Sequence, residues 1–187
     1  VLARDGVRRR VLAKRGVILA TGGFNRHPTR RATKLPAPLA AFSPAAPGHT
    51  GELHDLALGL GARYGEGALD NAFWAPVSVR KRANGSMAVF PHFVLDRGKP
   101  GVIAVNAAGR RFVNEATSYH LFARAMYAAH ATAPTIPCFL VTDSEGLRRY
   151  GLGMVRPGGR GLAPYLADDY LTEAPTLAAL AAKLGIE

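Results

Sequence analysis

Residues 106–120 bring together side chains that are able to move protons. Their ionisable members are Arg110, Arg111, Glu115, Tyr119 and His120. Thr117 or Ser118 can cap a helix, which would place Tyr119 in the first helical turn. The macrodipole favours a phenolate there, and a tyrosine, with an ordinary pKa of about 10, needs such help to act as a base near neutrality. The alternative is that Tyr119 packs on one helix face with Phe122 and Met126.

Residues 16–24, Gly-Val-Ile-Leu-Ala-Thr-Gly-Gly-Phe, form a second candidate site. The continuous apolar run predicts a strand that is buried on both faces. Gly22 and Gly23 would then let the backbone approach a bound group closely, because no Cβ stands in the way. A tight turn without a ligand is the alternative. No Gly-x-Gly-x-x-Gly lies between a predicted strand and helix, so the pyrophosphate cradle of a dinucleotide is not expected within these residues.

Cysteine and histidine usage gives no indication of a metal centre. The single cysteine, Cys138, lies in an apolar stretch, which favours a buried structural thiol over a catalytic or redox-active one. The six histidines show no tight ligand spacing with cysteine or carboxylates, so we expect no metal site. One cysteine cannot form an intramolecular disulfide, which favours a reducing compartment and predicts a cytoplasmic protein.

The composition is that of an ordinary globular protein with a basic surface. Hydrophobic residues make up 48% of the chain and charged residues 20%, and no apolar run approaches the roughly 20 residues of a transmembrane helix. The net charge of +11 comes mainly from arginine, in clusters that are not interleaved with aromatic residues. We therefore expect no nucleic-acid partner.

The remaining pattern predicts an α+β chain. A hairpin is expected over residues 1–13, with Arg4-Asp5-Gly6 as its turn. Five prolines between residues 26 and 48 exclude a long helix there and predict a meandering connection. Helices are predicted over residues 49–63, 119–130 and 176–184, strands over residues 74–80, 86–94, 101–106, 110–113 and 138–142, and a glycine-rich loop over residues 151–161.

Four segments stand out in their order along the chain. They read GVILATGGFNRHP, HTGELHDLALGLGA, FPHFVLDRGKPGVIAVNAAGRRFVNEATSYHLFARAM and TLAALAAKLGIE. Together they resemble the flavoprotein family that contains fumarate reductase, succinate dehydrogenase and 3-ketosteroid dehydrogenase. The resemblance spans nearly the whole chain, its third segment is the most specific, and it implies FAD as the cofactor.

The resemblance also assigns roles to two segments near the cofactor. In the family the first segment returns to the FAD domain, and a later Thr-Gly-Asp-Gly signature begins a helix. Here that signature reads Thr-Gly-Glu-Leu, so the length of the acid and the second glycine both differ. The residues that the resemblance implies for cofactor binding are Ala20, Thr21, Gly22, Gly23, Thr50, Gly51 and Glu52.

The residues after the Asn-Glu pair distinguish branches of the family. Fumarate reductases often continue there with a polar run that contains arginine, whereas this chain has Ala-Thr-Ser-Tyr, as in the ketosteroid dehydrogenases. In those enzymes a tyrosine in this position helps to remove a proton alpha to a carbonyl. The resemblance therefore implies Tyr119 as the base, with Glu115 and His120 for tuning or proton relay. It favours a steroid-like substrate, and a fumarate- or succinate-type dicarboxylate is the alternative.

The family pattern divides the chain into two expected parts. Residues 1–65 would be a short α/β remnant of the FAD-binding domain, and residues 66–187 a substrate-capping domain that is truncated at its C-terminus. The start at Val1 and the end directly after a helix-like segment favour an internal piece of a larger FAD-dependent enzyme that dehydrogenates, or in reverse reduces, a carbon–carbon bond next to a carbonyl. The piece is expected to be inactive alone and completed by the rest of its own polypeptide. The basic charge leaves one alternative of another class, a non-catalytic binding module.

Overall fold

The computed structural model describes residues 2–4, 6–65 and 71–186. Asp5 of the expected turn lies outside them, as do residues 66–70, next to the expected domain boundary. Within these ranges the strands form three separate antiparallel pairs. The pairs are β1 (Leu2–Arg4) with β2 (Val7–Arg9), β3 (Val77–Lys81) with β4 (Met87–Pro91), and β5 (Ile103–Val105) with β6 (Phe139–Val141).

Seven helices occur in the same described ranges. They are α1 (Pro28–Lys34), α2 (Glu52–Gly59), α3 (Val94–Arg97), α4 (Tyr119–His130), α5 (Ser144–Tyr150), α6 (Ala163–Ala167) and α7 (Leu177–Leu184). The chain thus mixes helices and strands, as its sequence predicts.

The buried apolar core surrounds β5 and α4. It consists of Val102, Ala104, Val105, Phe122, Ala123, Leu147 and Val155. Phe122 projects from α4 and meets Phe112 edge-on, with ring centroids 5.7 Å apart. The apolar core is small, and hydrogen bonds and ion pairs also hold neighbouring segments together.

Helix α4 confirms the predicted helix over residues 119–130. Ser118 is its N-cap, and its hydroxyl accepts a hydrogen bond from the N–H of Leu121 at 3.2 Å. Thr176 caps α7 in the same way, accepting from the N–H of Ala179 at 3.1 Å. The hairpin, α2 and the strands β3 to β6 also lie within or close to their predicted segments.

The predicted strand over residues 16–23 is wrong. The chain from residue 10 to residue 27 contains no helix or strand, and Ile18 is 94% exposed. A strand requires a neighbour to pair with its N–H and C=O groups. In the described ranges no strand pairs with these residues, so the apolar pattern alone does not produce a strand.

Other departures follow from local chemistry. The predicted returning strand over residues 110–113 is reduced to one bridge between Val105 and Arg111, because β6 pairs with β5 instead. The connection over residues 26–48 contains α1, whose first residue is Pro28, and the first helical position tolerates proline because its N–H needs no helical partner. The short helices α3, α5 and α6 are also absent from the prediction.

Gly151, which ends α5, tests how tightly the following loop is packed. Its φ is +65°, and an added Cβ would lie 2.9 Å from the nitrogen of Pro157 and closer still to the carbonyl oxygen of Val155. We expect Gly151→Ala to lower the free energy of unfolding by about 3 kcal/mol. Gly59→Ala, where a Cβ meets nothing within 4 Å, is the control and should stabilise α2 by about 0.5 kcal/mol. Urea denaturation of both variants checks this, and equal effects would contradict it.

Candidate functional site

A cleft of about 2040 Å³ runs between the N-terminal part of the chain and the segments around α4. Gly23 and Phe24 line one end, and Trp74 and Phe93 line the wall that approaches α4. Its surface is mostly apolar, although several charged side chains also line it. Such a cleft suits an apolar or cyclic organic ligand better than a highly charged one.

Tyr119 lies beside this cleft as the first residue of α4. It is 38% exposed, and its ring meets that of Phe93 edge-on with centroids 5.2 Å apart. Phe93 lines the cleft, whereas Tyr119 is not among its lining residues. The phenol therefore sits at the margin of the cleft, in the first turn of a helix as predicted.

Glu115 is buried and fully engaged. Its carboxylate accepts hydrogen bonds from the N–H of Ala104 at 2.8 Å and from two nitrogens of Arg111 at 2.9 and 2.6 Å. Burial alone would raise the pKa of Glu115, but the hydrogen bonds from Arg111 and Ala104 outweigh it and lower the pKa below 4.5. The carboxylate is thus ionised near neutrality and fastens the segment before α4 to β5.

His120 joins α4 to the segment before β3. Its Nδ1 accepts a hydrogen bond from the N–H of Trp74 at 3.2 Å, and its ring centroid lies 5.3 Å from that of Phe73. Phe73 and Trp74 line the cleft, but His120 and Glu115 do not. Tyr119 and His120 are thus each in ring contact with an aromatic residue that lines the cleft, Phe93 and Phe73 respectively.

The candidate cofactor residues 20–23 lie against α2. Ala20, Thr21 and Gly22 are exposed, and the carbonyl oxygen of Gly22 is 3.2 Å from Nε2 of His54. His49 packs on Gly22 so closely that an added Cβ would lie 2.7 Å from its ring. A groove of about 250 Å³, lined in part by Thr21 and Gly22, separates this segment from α2.

The second candidate cofactor segment begins that same helix. Gly51 is buried at the N-cap with a φ of +74°, and an added Cβ would lie 3.1 Å from Cβ of Phe24. Thr50 is half-buried, and Glu52 is exposed in the first turn. The structure therefore brings the two cofactor segments together. None of the hydrogen bonds or ring contacts of the described residues joins them to Tyr119.

Arg97, for which the sequence gives no local signal, is fully buried and belongs to the residues that line the cleft. Its guanidinium donates to the carbonyl oxygens of His92, Glu115 and Thr117 at 2.7, 2.6 and 3.1 Å. It also lies over the ring of Phe122, 4.2 Å from the centroid. Burial lowers the pKa of Arg97, although Asp96, Cys138 and Glu115 act in the opposite direction.

A buried ionic network adjoins Arg97. Asp96 Oδ2 lies 2.5 Å from Nδ1 of His92, while its other oxygen accepts from Lys99 at 2.8 Å and from the N–H of Gly153 at 3.0 Å. Burial alone would raise the pKa of Asp96, but the hydrogen bonds from His92, Lys99 and Gly153 lower it to about 2. The i, i+4 spacing of His92 and Asp96 is the sequence signal that could have indicated this pair.

Gly153 is enclosed by two aromatic rings. An added Cβ would lie 3.1 Å from Cε1 of His92 and closer still to the hydroxyl of Tyr170, at a φ of +56°. That hydroxyl accepts from the N–H of Met154 at 3.0 Å and is 2.6 Å from the hydroxyl of Ser78. Polar side chains thus connect the glycine-rich loop to β3, through Tyr170 and Ser78, and to α3, through Asp96.

The other candidate chemistries find little support in the described residues. Removal of its thiol from water raises the pKa of Cys138 to about 12, which leaves no appreciable thiolate near neutrality. Residues 2–4, 6–65 and 71–186 contain no group of three or more His, Cys, Asp or Glu side chains placed to hold a metal ion. None of the helices in that part of the chain is long and apolar enough to cross a membrane.

Residues 1–168 match the family model described as FAD binding domain. The 4-oxocyclohex-2-ene-1-carboxylate 5-dehydrogenase of Sinomonas cyclohexanicum is 35% identical over 181 residues, which cover 95% of this chain and 30% of that protein. The 3-oxosteroid 1-dehydrogenase of Mycobacterium tuberculosis is 34% identical over 183 residues, which cover 94% of this chain and 31% of that protein.

A comparison with solved structures also finds a dehydrogenase of this kind. The chain resembles the crystal structure of 3-ketosteroid Δ1-dehydrogenase from Sterolibacterium denitrificans in complex with 1,4-androstadiene-3,17-dione, with a TM-score of 0.71 and 30% identity. The match covers 98% of this chain and 32% of that one. The chain therefore spans about a third of the length of the relatives that it matches.

Asp96 gives the site a measurable pH dependence. Its pKa is lowered from 3.8 to about 2 in the folded protein, so its ionised form stabilises the fold fully above pH 3.8, and this contribution is lost as the pH falls towards 2. We expect Asp96→Asn to lower the free energy of unfolding by about 2 kcal/mol at pH 7 and by less at pH 3. Urea denaturation at both pH values measures this.

Asp169→Asn is the matched control, because Asp169 is exposed and forms no ion pair in the described ranges. It should leave the free energy of unfolding within about 0.5 kcal/mol of wild type at both pH values. A loss for Asp96→Asn that stays constant between pH 7 and pH 3 would contradict the assignment.

Proposed function

The chain belongs to the FAD-binding domain family, and on this premise we propose that it is part of a flavin-dependent dehydrogenase that oxidises the carbon–carbon bond next to a ketone. Its relatives carry the names of dehydrogenases of cyclic oxo compounds, which supports this reaction class. The position of Tyr119 is the observation that carries the proposal, since it places a half-exposed phenol at the margin of an apolar cleft.

Tyr119 is proposed as the base of this reaction. The carbonyl acidifies the neighbouring C–H bond, so a phenolate can accept that proton while the electron pair of the C–H bond forms the new double bond. The first turn of α4 favours negative charge at this position through the helix macrodipole. The aromatic contact with Phe93 would hold the ring against the wall of the cleft.

Residues 20–23 and 50–52 are proposed to contact FAD. They fit part of the group, because exposed main chain at Ala20 and Thr21 can approach a ligand and the Glu52 carboxylate is exposed to accept from hydroxyl groups. The packed ring of His49 leaves less open space at Gly22 than a bare glycine cradle would. When bound, FAD supplies the hydride acceptor for the carbon next to the one that loses its proton.

Glu115 and His120 are proposed to support the base rather than to relay its proton. The Glu115 carboxylate is occupied by Arg111 and Ala104, and Nδ1 of His120 by the N–H of Trp74. These bonds anchor the start of α4 on two sides. They support a role in fixing the direction of Tyr119.

The same contacts support the proposed division into two parts. The cofactor segments meet around α2 within residues 1–65, whereas the proposed base and its supports lie within residues 66–187. We accordingly propose that the second part covers the substrate in the complete protein. A cytoplasmic location stays a prediction.

Two classes of substrate suit these observations. A 3-oxosteroid is the leading proposal, in keeping with the named relative from Mycobacterium tuberculosis and with the apolar cleft. A 4-oxocyclohexenecarboxylate is the second candidate, because the relative of Sinomonas cyclohexanicum carries that name. Both classes place a ketone in a six-membered ring. A small dicarboxylate is a weaker proposal, because it lacks a named relative among the matches described above.

The reaction class can be tested with the complete gene product that contains this chain. Loaded with FAD and supplied with an electron-accepting dye, it should oxidise a 3-oxosteroid or 4-oxocyclohex-2-ene-1-carboxylate and leave succinate unreacted. Dye bleaching at 1 mM of each compound is the measurement. Bleaching with succinate alone would transfer the proposal to the dicarboxylate branch. Salt-sensitive retention on a polyanion column, without bound flavin or dye reduction, would favour a binding module.

Tyr119→Phe tests the proposed base in that same protein. Removal of the phenolic oxygen should lower kcat by about 10²- to 10⁴-fold while FAD binding, measured by absorbance, is retained. Tyr150→Phe is the matched control, because Tyr150 lies at the end of α5 and does not line the cleft. A Tyr119→Phe variant with more than half of the wild-type kcat would exclude the phenol as the base.

A further inference from the structure

Arg97 is unusual because its cationic group is buried without an ion pair. It is wholly inaccessible, and within the described ranges it contacts no carboxylate at salt-bridge distance. A buried charge is costly unless hydrogen bonds replace its water. The three carbonyl oxygens of His92, Glu115 and Thr117 provide that replacement.

Two of those carbonyl groups belong to the segment that leads into α4. Glu115 and Thr117 precede the N-cap Ser118, and Tyr119 follows it directly. The guanidinium also lies on the ring of Phe122, one turn further along the helix. Arg97 therefore contacts the chain on both sides of Tyr119, through the loop before it and through the helix after it.

The same short helix also touches Tyr119 directly. Phe93 is the N-cap of α3 and packs against the phenol ring, while Arg97 is the last residue of α3. The carbonyl of His92 ties the guanidinium to the chain just before this helix. The direction of the Tyr119 side chain and the position of the guanidinium are thus set by one connected group of contacts.

We propose that Arg97 is a positioning residue for Tyr119, holding the 115–118 segment and the first turn of α4 so that the phenol faces the reacting carbon. The inference rests on the proposed function, in which Tyr119 is the base. Displacement of a catalytic group by about 1 Å costs on the order of 10²-fold in rate. Lysine cannot replace the guanidinium fully, because a single ammonium lacks the planar fork that reaches three separated acceptors.

The test uses the complete FAD-loaded gene product with Arg97→Met and Arg97→Lys, and a substrate deuterated at the carbon that loses the proton. Arg97→Met should lower kcat per bound flavin about 100-fold, with KM within threefold of wild type. The deuterium isotope effect on kcat should rise, because proton removal becomes the slow step. Arg97→Lys should recover about tenfold of the lost rate.

Thr135→Val is the matched control for a general loss of stability. Thr135 is fully buried, its hydroxyl donates to the carbonyl of Ala133, it does not line the cleft, and its described hydrogen bonds do not involve the 115–118 segment. The variant should lower Tm while kcat per bound flavin and the isotope effect stay at wild-type values. The inference is wrong if Thr135→Val, at an equal loss of Tm, changes both quantities as much as the Arg97 variants do.

The inference can still be tested if Arg97→Met folds poorly. If that variant binds no FAD, the decision falls on Arg97→Lys, which must show a lower kcat per flavin and a larger isotope effect than wild type. Values equal to wild type in Arg97→Lys overturn the inference in that case. Values equal to wild type in a folded Arg97→Met overturn it as well.

Hydrogen–deuterium exchange separates this inference from the proposed function. Peptides that cover residues 115–122 should exchange faster in Arg97→Lys than in wild type or Thr135→Val. If the wild-type protein oxidises none of the cyclic ketones, the proposed reaction fails, yet faster exchange would still show that Arg97 holds the segment around Tyr119. Unchanged exchange in this segment overturns the positioning role whatever the reaction is.

Discussion

A buried guanidinium group needs hydrogen-bond acceptors for its N–H groups, and this requirement determines how the segments around Arg97 are arranged. Arg97 meets it with three main-chain carbonyls, one at His92 and two in the 115–118 segment. The end of β4, the 115–118 segment and α4 are thereby assembled around one cation. Because main-chain carbonyls are present whatever the side chains are, this arrangement fixes the path of the backbone rather than a particular set of neighbours.

Hydrogen bonds of the acidic residues Glu115 and Asp96 connect Arg97 and its neighbours to other segments of the chain. Glu115 presents its carbonyl to Arg97 and its carboxylate to the N–H of Ala104, so one residue connects the cation to β5. Asp96, next in sequence to Arg97, connects α3 to Gly153. The described ranges have only two-stranded sheets and a small apolar core, so such hydrogen bonds connect segments that wider sheets connect in other α+β proteins.

The sequence predicts elements that are stabilised by contacts between residues close in sequence. It does not predict elements that depend on a partner far away in the chain. Helix α4 is predictable because Ser118 caps it and its apolar residues recur at helical spacing, both within about 12 residues. Residues 16–23 have an equally clear apolar pattern but form no strand, since pairing depends on a neighbour that no local pattern reveals. The position of Tyr119 was predicted for the same local reason. Arg97 was not, because its acceptors lie up to 20 residues away.

The enclosure of Gly153 has a consequence for how related sequences can diverge. Its Cβ position is taken by the ring of His92 on one side and the hydroxyl of Tyr170 on the other, and its own N–H is bound to Asp96. A larger residue here is tolerated only if both rings shrink or withdraw. Across an alignment of relatives, positions 92, 153 and 170 should therefore covary, although they are far apart in the gene.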